Sequence, residues 1–303
     1  MIDKKDANAV RVPPSKRVHL KDYGTRWPNG KISGDESACK SKAEESLKED
    51  LETLSEVQQR LYADDRYSLL VIFQAMDAAG KDGTIKHVMS GVNPQGCEVH
   101  SFKQPSHEEM DHNFLWRYMR RLPERGRIGI FNRSYYEDVL VVKVHPEILE
   151  NQSLPVSPRE DKDFWKQRYE DINAFEEHLS RNGTVILKFF LHISKDEQKK
   201  RFLDRLNKPS KNWKFSAADL EERAFWGEYM DAYEAAISAT TTDYAPWFII
   251  PADHKWVCRT LVADIITRTL HELDLHYPTP SQKNMELLNA ARTKLEKESQ
   301  DAR

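Results

Sequence analysis

Residues 68–84 read SLLVIFQAMDAAGKDGT, an apolar run that breaks into a turn of small residues and meets one lysine, Lys81. The run predicts a buried strand over 68–73, and the small residues predict a tight loop with a helix from about Thr84. Strand, loop and helix start in this order make a cradle for phosphate. The backbone N–H groups of Ala79, Gly80, Asp82, Gly83 and Thr84 face the anion, the helix N-terminus adds partial positive charge, and Lys81 adds a full one. Two positions depart from the usual G-x-x-x-x-G-K-[ST] pattern: Ala75 stands at the first glycine and Asp82 at the Ser/Thr.

Working outward, apolar runs alternate with helical spacing. Strands are expected at 97–102, 127–131, 185–193 and 247–250, and helices over 36–62, about 107–121, 160–180, 195–207, about 217–238 and 255–275. Strands that are apolar throughout belong to a parallel sheet covered on both faces, so the expected fold is a three-layer α/β/α sandwich. Ligands bind such sheets at the carboxyl ends of the strands, where the loop after Phe73, the segment Asn132-Arg133-Ser134 and the basic helix after 185–193 converge. Residues 1–35, rich in Pro, Gly and Lys, read as a surface arm; 36–282 read as one domain with a lid at about 195–220, and 283–303 as a charged tail.

The chain has 303 residues, 31% charged and 39% hydrophobic, which suits a soluble enzyme and excludes a disordered chain. No apolar run is long enough to cross a bilayer, and Met1–Val10 lacks the apolar centre of a signal peptide, so a cytoplasmic location is expected. The sequons at Asn132, Asn151 and Asn182 then carry no meaning. Cys39, Cys97 and Cys258 are scattered and lack C-x-x-C spacing, against disulfides or zinc. A net charge of −3 argues against coating nucleic acid. Yet Lys195–Lys214 holds eight basic residues against three acidic ones.

The chemistry follows from the three convergent segments. Lys81 is placed to hold a phosphate chain. Asp77 and Asp82 beside phosphate are unfavourable unless a cation intervenes, which points to Mg²⁺, although Asp82 would also serve as a helix cap. Asn132 stands where a metal-binding aspartate is usual, with Glu137 and Asp138 a turn away. Arg133 would neutralise a transferring phosphate, or pair with Glu137 or Asp138. Arg201, Arg205, Lys208, Lys211 and Lys214 form a basic helix and mobile connection, read as a lid over a polyanion with Trp213 at its hinge. His107 and His112 lie five apart and do not make a zinc helix, and no G-x-S-x-G elbow is present.

Six segments in order, QAMDAAGKDGTIKHV (74–88), GVNPQGCEVHSFKQPS (91–106), FLWRYMRRLPERGRIGIFNRSYYEDVLVVKV (114–144), LKFFLHISKDEQKKRFLDRL (187–206), KNWKFSAADL (211–220) and YAPWFIIPADHKW (244–256), resemble the polyphosphate kinase 2 family over about residues 40–278. The resemblance implies a thymidylate-kinase-like P-loop fold with a helical lid. It also implies Mg²⁺-dependent phosphoryl transfer between inorganic polyphosphate and AMP, ADP or ATP, with Mn²⁺ as a substitute ion. By position it puts the family's loop aspartate and lysine on Asp77 and Lys81, its arginine on Arg133 and a lid arginine on Arg201 or Arg205. FNRSYYEDVLVV is similar to the branch that accepts both AMP and ADP, in which Glu137 bears on acceptor choice. Asp77 and Asp138 are the expected metal ligands, and Phe102, Arg117, Asn132, Arg133 and Glu137 the expected nucleotide contacts, with the base between Phe102 and the helix bearing Arg117. A homo-oligomer, dimer or tetramer, is expected; nucleic acid and membrane partners are not. An ATP-dependent nucleoside monophosphate kinase and a catalytically silent polyphosphate binder stand as the alternatives.

Overall fold

β1 (Ser68–Gln74) is the centre of the molecule, buried along its whole length. It is the middle strand of a five-stranded, fully parallel sheet with β2 (Cys97–Ser101), β3 (Ile128–Asn132), β4 (Thr184–His192) and β5 (Trp247–Pro251), in the order β2-β3-β1-β4-β5. The register brings Phe73 level with Asn132 on one side and Phe189 on the other, so the loop after β1 leaves the sheet beside the loop after β3. The structure is a computed structural model and describes residues 4–14, 16–28, 35–150, 152, 154 and 161–301. Asn29-Gly30, Ser33-Gly34 and the sequon at Asn151 lie outside the described residues.

One face of the sheet carries α1 (Glu36–Asp64), α2 (Lys81–Val88) and α6 (Lys255–His271), and the other carries α3 (Phe164–Arg181) and α5 (Trp226–Thr240). α1 is capped by Asp35, whose carboxylate accepts from Ser37 and Ala38, and it buries Leu54, Val57 and Leu61 against the sheet layer. Burying a leucine or phenylalanine stabilises by about 1.5–3 kcal/mol, and the wholly covered Leu69, Leu70, Ile72 and Phe73 are the densest such run. The sandwich read from the sequence is the fold observed.

Several boundaries differ from expectation, each for a local reason. The helix expected over 107–121 is two short turns, His107–Met110 and Trp116–Met119, because the Asn113 side chain takes the Leu115 amide and breaks the run. The helix expected over 217–238 is broken into Ala217–Glu222, a tight turn Arg223–Phe225, and α5. α2 begins at Lys81, three residues early, since Gly80 at φ 109° serves as its N-cap. The tail is helical, α7 (Gln282–Asp301). The arm does more than cover the surface. Arg11 forms an antiparallel bridge to Phe248 on the outer edge of β5, and Val12, Val18 and Leu20 enter the core.

Candidate active site

The phosphate loop runs from Gln74 to Lys81 and owes its shape to backbone held in the left-handed region at Ala78 (φ 61°) and Gly80 (φ 109°). Glycine adopts that conformation freely, but Ala78 must be held there. The holding groups come from α4 (Lys195–Asn207), capped by Ser194. Gln198 donates to the Asp77 carbonyl at 2.9 Å, and Arg201 donates to the carbonyls of Ala78 (3.1 Å) and Ala79 (2.6 Å). Three successive carbonyls are thereby taken up on the α4 side. The same guanidinium reaches the carbonyls of Ala252 (2.6 Å) and Asp253 (3.1 Å) after β5, and its Nε donates to Glu197 (2.9 Å). Arg201 is therefore a brace beneath the loop. Its donors are consumed by the protein, contrary to the expectation that it faces a polyanion.

Lys81 opens α2 and donates to the carbonyl of Ala75 at 2.7 Å, so the residue at the missing first glycine anchors the lysine through its backbone. Burial pushes the Lys81 ammonium down from its ordinary pKa, opposed by the nearby Asp77 carboxylate. Arg133 follows β3 with φ 66°, its N–H bonded to Phe73 O at 3.0 Å, which locks the two strand ends together. Its guanidinium donates to Asp77 at 3.2 Å, not to Glu137 or Asp138. Asp82 does not cap α2: it accepts from the Asn132 amide at 2.7 Å.

The segment after Arg133 winds into a tight helix, Tyr135–Val139, started by Ser134 and held to the strand end by Gln74, which donates to Ser134 Oγ at 3.1 Å. Glu137 comes back toward Arg133 and Lys81, and burial raises its pKa against their positive charge. Gln152 donates to Asp138 at 3.2 Å, and burial pushes the Asp138 pKa up to about 6, opposed chiefly by the charge of Arg168. The two expected metal ligands, Asp77 and Asp138, thus have different partners, Arg133 and Gln152.

Beneath these groups opens a cavity of about 1120 Å³ lined by Asp77, Arg133, Glu137, Asp138, Arg117 and Phe102 among others. Phe102 and Arg117 are one wall, not two. The guanidinium lies 5.3 Å from the Phe102 ring and donates to Lys103 O at 2.6 Å, and Phe102 packs on Tyr118 at 4.5 Å. No base fits between them; both face the same space. Asp219 and Glu222 of the helix Ala217–Glu222 line the same cavity. Glu222 is held there by Tyr229 (2.6 Å) and His145 (2.9 Å).

The rest of the basic segment spends part of its charge on neighbouring acids. Arg205 pairs with Asp219 at 3.2 Å, and Lys208 and Lys211 share the carboxylate of Asp204 at 2.5 Å each. The expected mobile connection contains a further helical turn, Pro209–Asn212, and Lys214 sits over the exposed Trp213 ring at 5.0 Å. Sequence reasoning missed three residues. Gln198 carries no charge and so drew no notice. Lys255 and Arg259 open α6 beside the loop; burial lowers the pKa of each, and Arg201 lowers both further. The signal was available, because a helix that starts at the carboxyl end of β5 must point its first residues at the same rim.

Known proteins resemble the chain along most of its length. Residues 37–278 match the family model described as polyphosphate kinase 2. The chain is 57% identical over 241 residues to an ADP-polyphosphate phosphotransferase of Rhodopseudomonas palustris, covering 79% of this chain and 83% of that protein. It is 44% identical over 270 residues to an AMP/ADP-polyphosphate phosphotransferase of Meiothermus ruber, covering 89% and 95%. The crystal structure of polyphosphate kinase 2 from Arthrobacter aurescens TC1 superposes with a TM-score of 0.82 at 37% identity, over 94% of this chain and 96% of that one. With family model, relatives and fold in agreement, the chain belongs to the polyphosphate kinase 2 family.

Proposed function

We propose that the protein transfers the terminal phosphoryl group of inorganic polyphosphate to AMP, ADP or both, reversibly. One observation carries the reading: Lys81, Asp77 and Arg133 stand where the large cavity, sized for a nucleotide, meets the phosphate loop and its basic flank. The nucleotide takes the cavity. The donor chain approaches from the side of Lys255, Arg259 and the lid tip.

The protein's work is positioning and charge neutralisation, since phosphoryl transfer needs little covalent help. Lys81 and the loop amides hold phosphate where donor and acceptor meet. Arg133 exchanges its Asp77 partner for the transferring group and neutralises its charge. Glu137, held near Arg133 and Lys81, limits how far an acceptor phosphate enters. Arg205, Lys208, Lys211 and Lys214 guide the polyphosphate chain. The donor set suits Mg²⁺, an ion that takes one or two carboxylates and completes its shell with phosphate and water. Asp77 offers such a carboxylate at the loop, whereas Asp138 already accepts from Gln152. When bound, the ion would offset phosphate charge beside Asp77.

A coupled assay supplying AMP or ADP with Mg²⁺ and either polyphosphate or ATP tests the reading. ADP or ATP made from polyphosphate is the expected result. Transfer from ATP alone would establish an ordinary nucleotide kinase, and tight polyphosphate binding without product would establish a silent binder.

A further inference from the structure

The two departures from the usual phosphate-loop pattern meet in space. Asp82 occupies the loop position where Ser or Thr is usual, and Asn132 the strand end where aspartate is usual. They are 50 residues apart in sequence, yet Asn132 Nδ2 donates to Asp82 Oδ1 at 2.7 Å. A carboxylate only accepts, so the amide nitrogen is the end of Asn132 that must face it. Ser101 Oγ lies 3.4 Å from the same nitrogen and steadies the amide from β2.

In the usual arrangement a hydroxyl on the helix and a carboxylate on the strand serve one cation. Here the carboxylate stands on the helix and the neutral group on the strand. The pair still carries one negative charge, but the two roles have changed places. An aspartate at position 132 facing Asp82 would bring two carboxylates to hydrogen-bond distance with no donor between them, and their charges would repel.

We propose that Asp82 and Asn132 form a reciprocal exchange: Asp82 supplies the carboxylate that elsewhere comes from the strand end, and Asn132 is the positioning residue that aims it at the phosphate site. The pair lies beside the reacting groups, since Asp82 is among the charges that act on Lys81 together with Asp77 and Glu137. This inference rests on the phosphotransferase reading and refines it.

Four variants of the full chain test it, read by Mn²⁺ affinity in the absence of substrate, by Tm and by kcat. Asp82→Ser removes the carboxylate and should weaken Mn²⁺ binding about tenfold, the scale of losing a group that supports a metal site. Asn132→Asp should lower kcat about tenfold. It should also lower the Tm of the metal-free protein below that of the wild type, because two carboxylates then face each other with no donor between them. The double variant Asp82→Ser/Asn132→Asp restores the usual polarity and should recover Mn²⁺ affinity and kcat to within about threefold of the wild type. Asp82→Asn leaves the hydrogen bond feasible but no charge, and should bind Mn²⁺ like Asp82→Ser. A double variant no better than its worse single member overturns the exchange, as does Mn²⁺ affinity unchanged in Asp82→Ser. Should the wild type transfer no phosphoryl group from any donor, the functional reading falls, while the Mn²⁺ and Tm comparisons still decide the exchange.

Discussion

The basic segment after β4 divides into two regions that charge alone does not distinguish. At the root, Gln198 and Arg201 spend their donors on backbone carbonyls of the loop and of the turn after β5. At the tip, Lys208 and Lys211 share one carboxylate between them, and Lys214 lies on an exposed indole. The root is thus part of the loop's structure, and the tip keeps a surplus of positive charge. A run of positive residues can serve two purposes within one helix, and only their hydrogen-bond partners tell which is which.

The largest effect should come from the group both regions serve. Lys81→Ala should lower kcat about 10²-fold or more by removing a charge used in the transition state; wild-type turnover in the coupled assay would break the scheme. Arg201→Ala, at the root, should lower stability by about 2–3 kcal/mol as loop carbonyls lose a charged donor, and kcat should fall with it as Ala78 relaxes. Both losses, in Tm and in kcat, are required. At the tip, replacing Lys208, Lys211 and Lys214 by Ser should raise the KM for polyphosphate about tenfold and flatten its salt dependence. Tm and the KM for nucleotide should not move. A fall in Tm there would erase the distinction between root and tip.

The smallest effect concerns how the root is attached. His192 ends β4, buried beside Phe190, and burial pushes its pKa down from 6.5 to about 4. The unfolded chain therefore binds a proton that the folded one refuses, so stability is lost as pH falls through that window. His192→Gln should recover about 1 kcal/mol relative to the wild type at about pH 5.5 and nothing above about pH 7.5, read from Tm against pH. A pH-independent difference would place the cause in packing instead.

The sheet was legible because four of its five strands, all but the edge strand β2, are apolar nearly throughout, and the candidate site because three segments end on the same rim. What escaped the sequence was partnership. Lys188 sits inside the run VILKFFLHI and is read there as part of an apolar strand, yet it is wholly buried. It bonds to Glu176 (2.5 Å), Tyr136 (3.0 Å) and Thr240 O (2.7 Å) beneath the Arg133 segment. No local spacing reports a contact between strand β4 and helix α3. Gln198 escaped for the same reason, since an amide shows no sign of charge. Arg201 was found but misassigned, because sequence gives the sign of a side chain and not the direction in which it spends its donors. Phe102 and Arg117 were read as two sides of a slot for the base, whereas they pack on each other and line one cavity.

The arm along β5 bears on how the chain is made. Val18 bonds to Ser238, Leu20 to Glu234 and Thr25 to Asp253, across separations of 220, 214 and 228 residues. During synthesis the arm emerges long before the strand and helices that receive it. Contacts of such span close late and slowly. Until β5 leaves the ribosome, Val12, Val18 and Leu20 have no site to enter, so the arm can dock only after every strand of the sheet has been made.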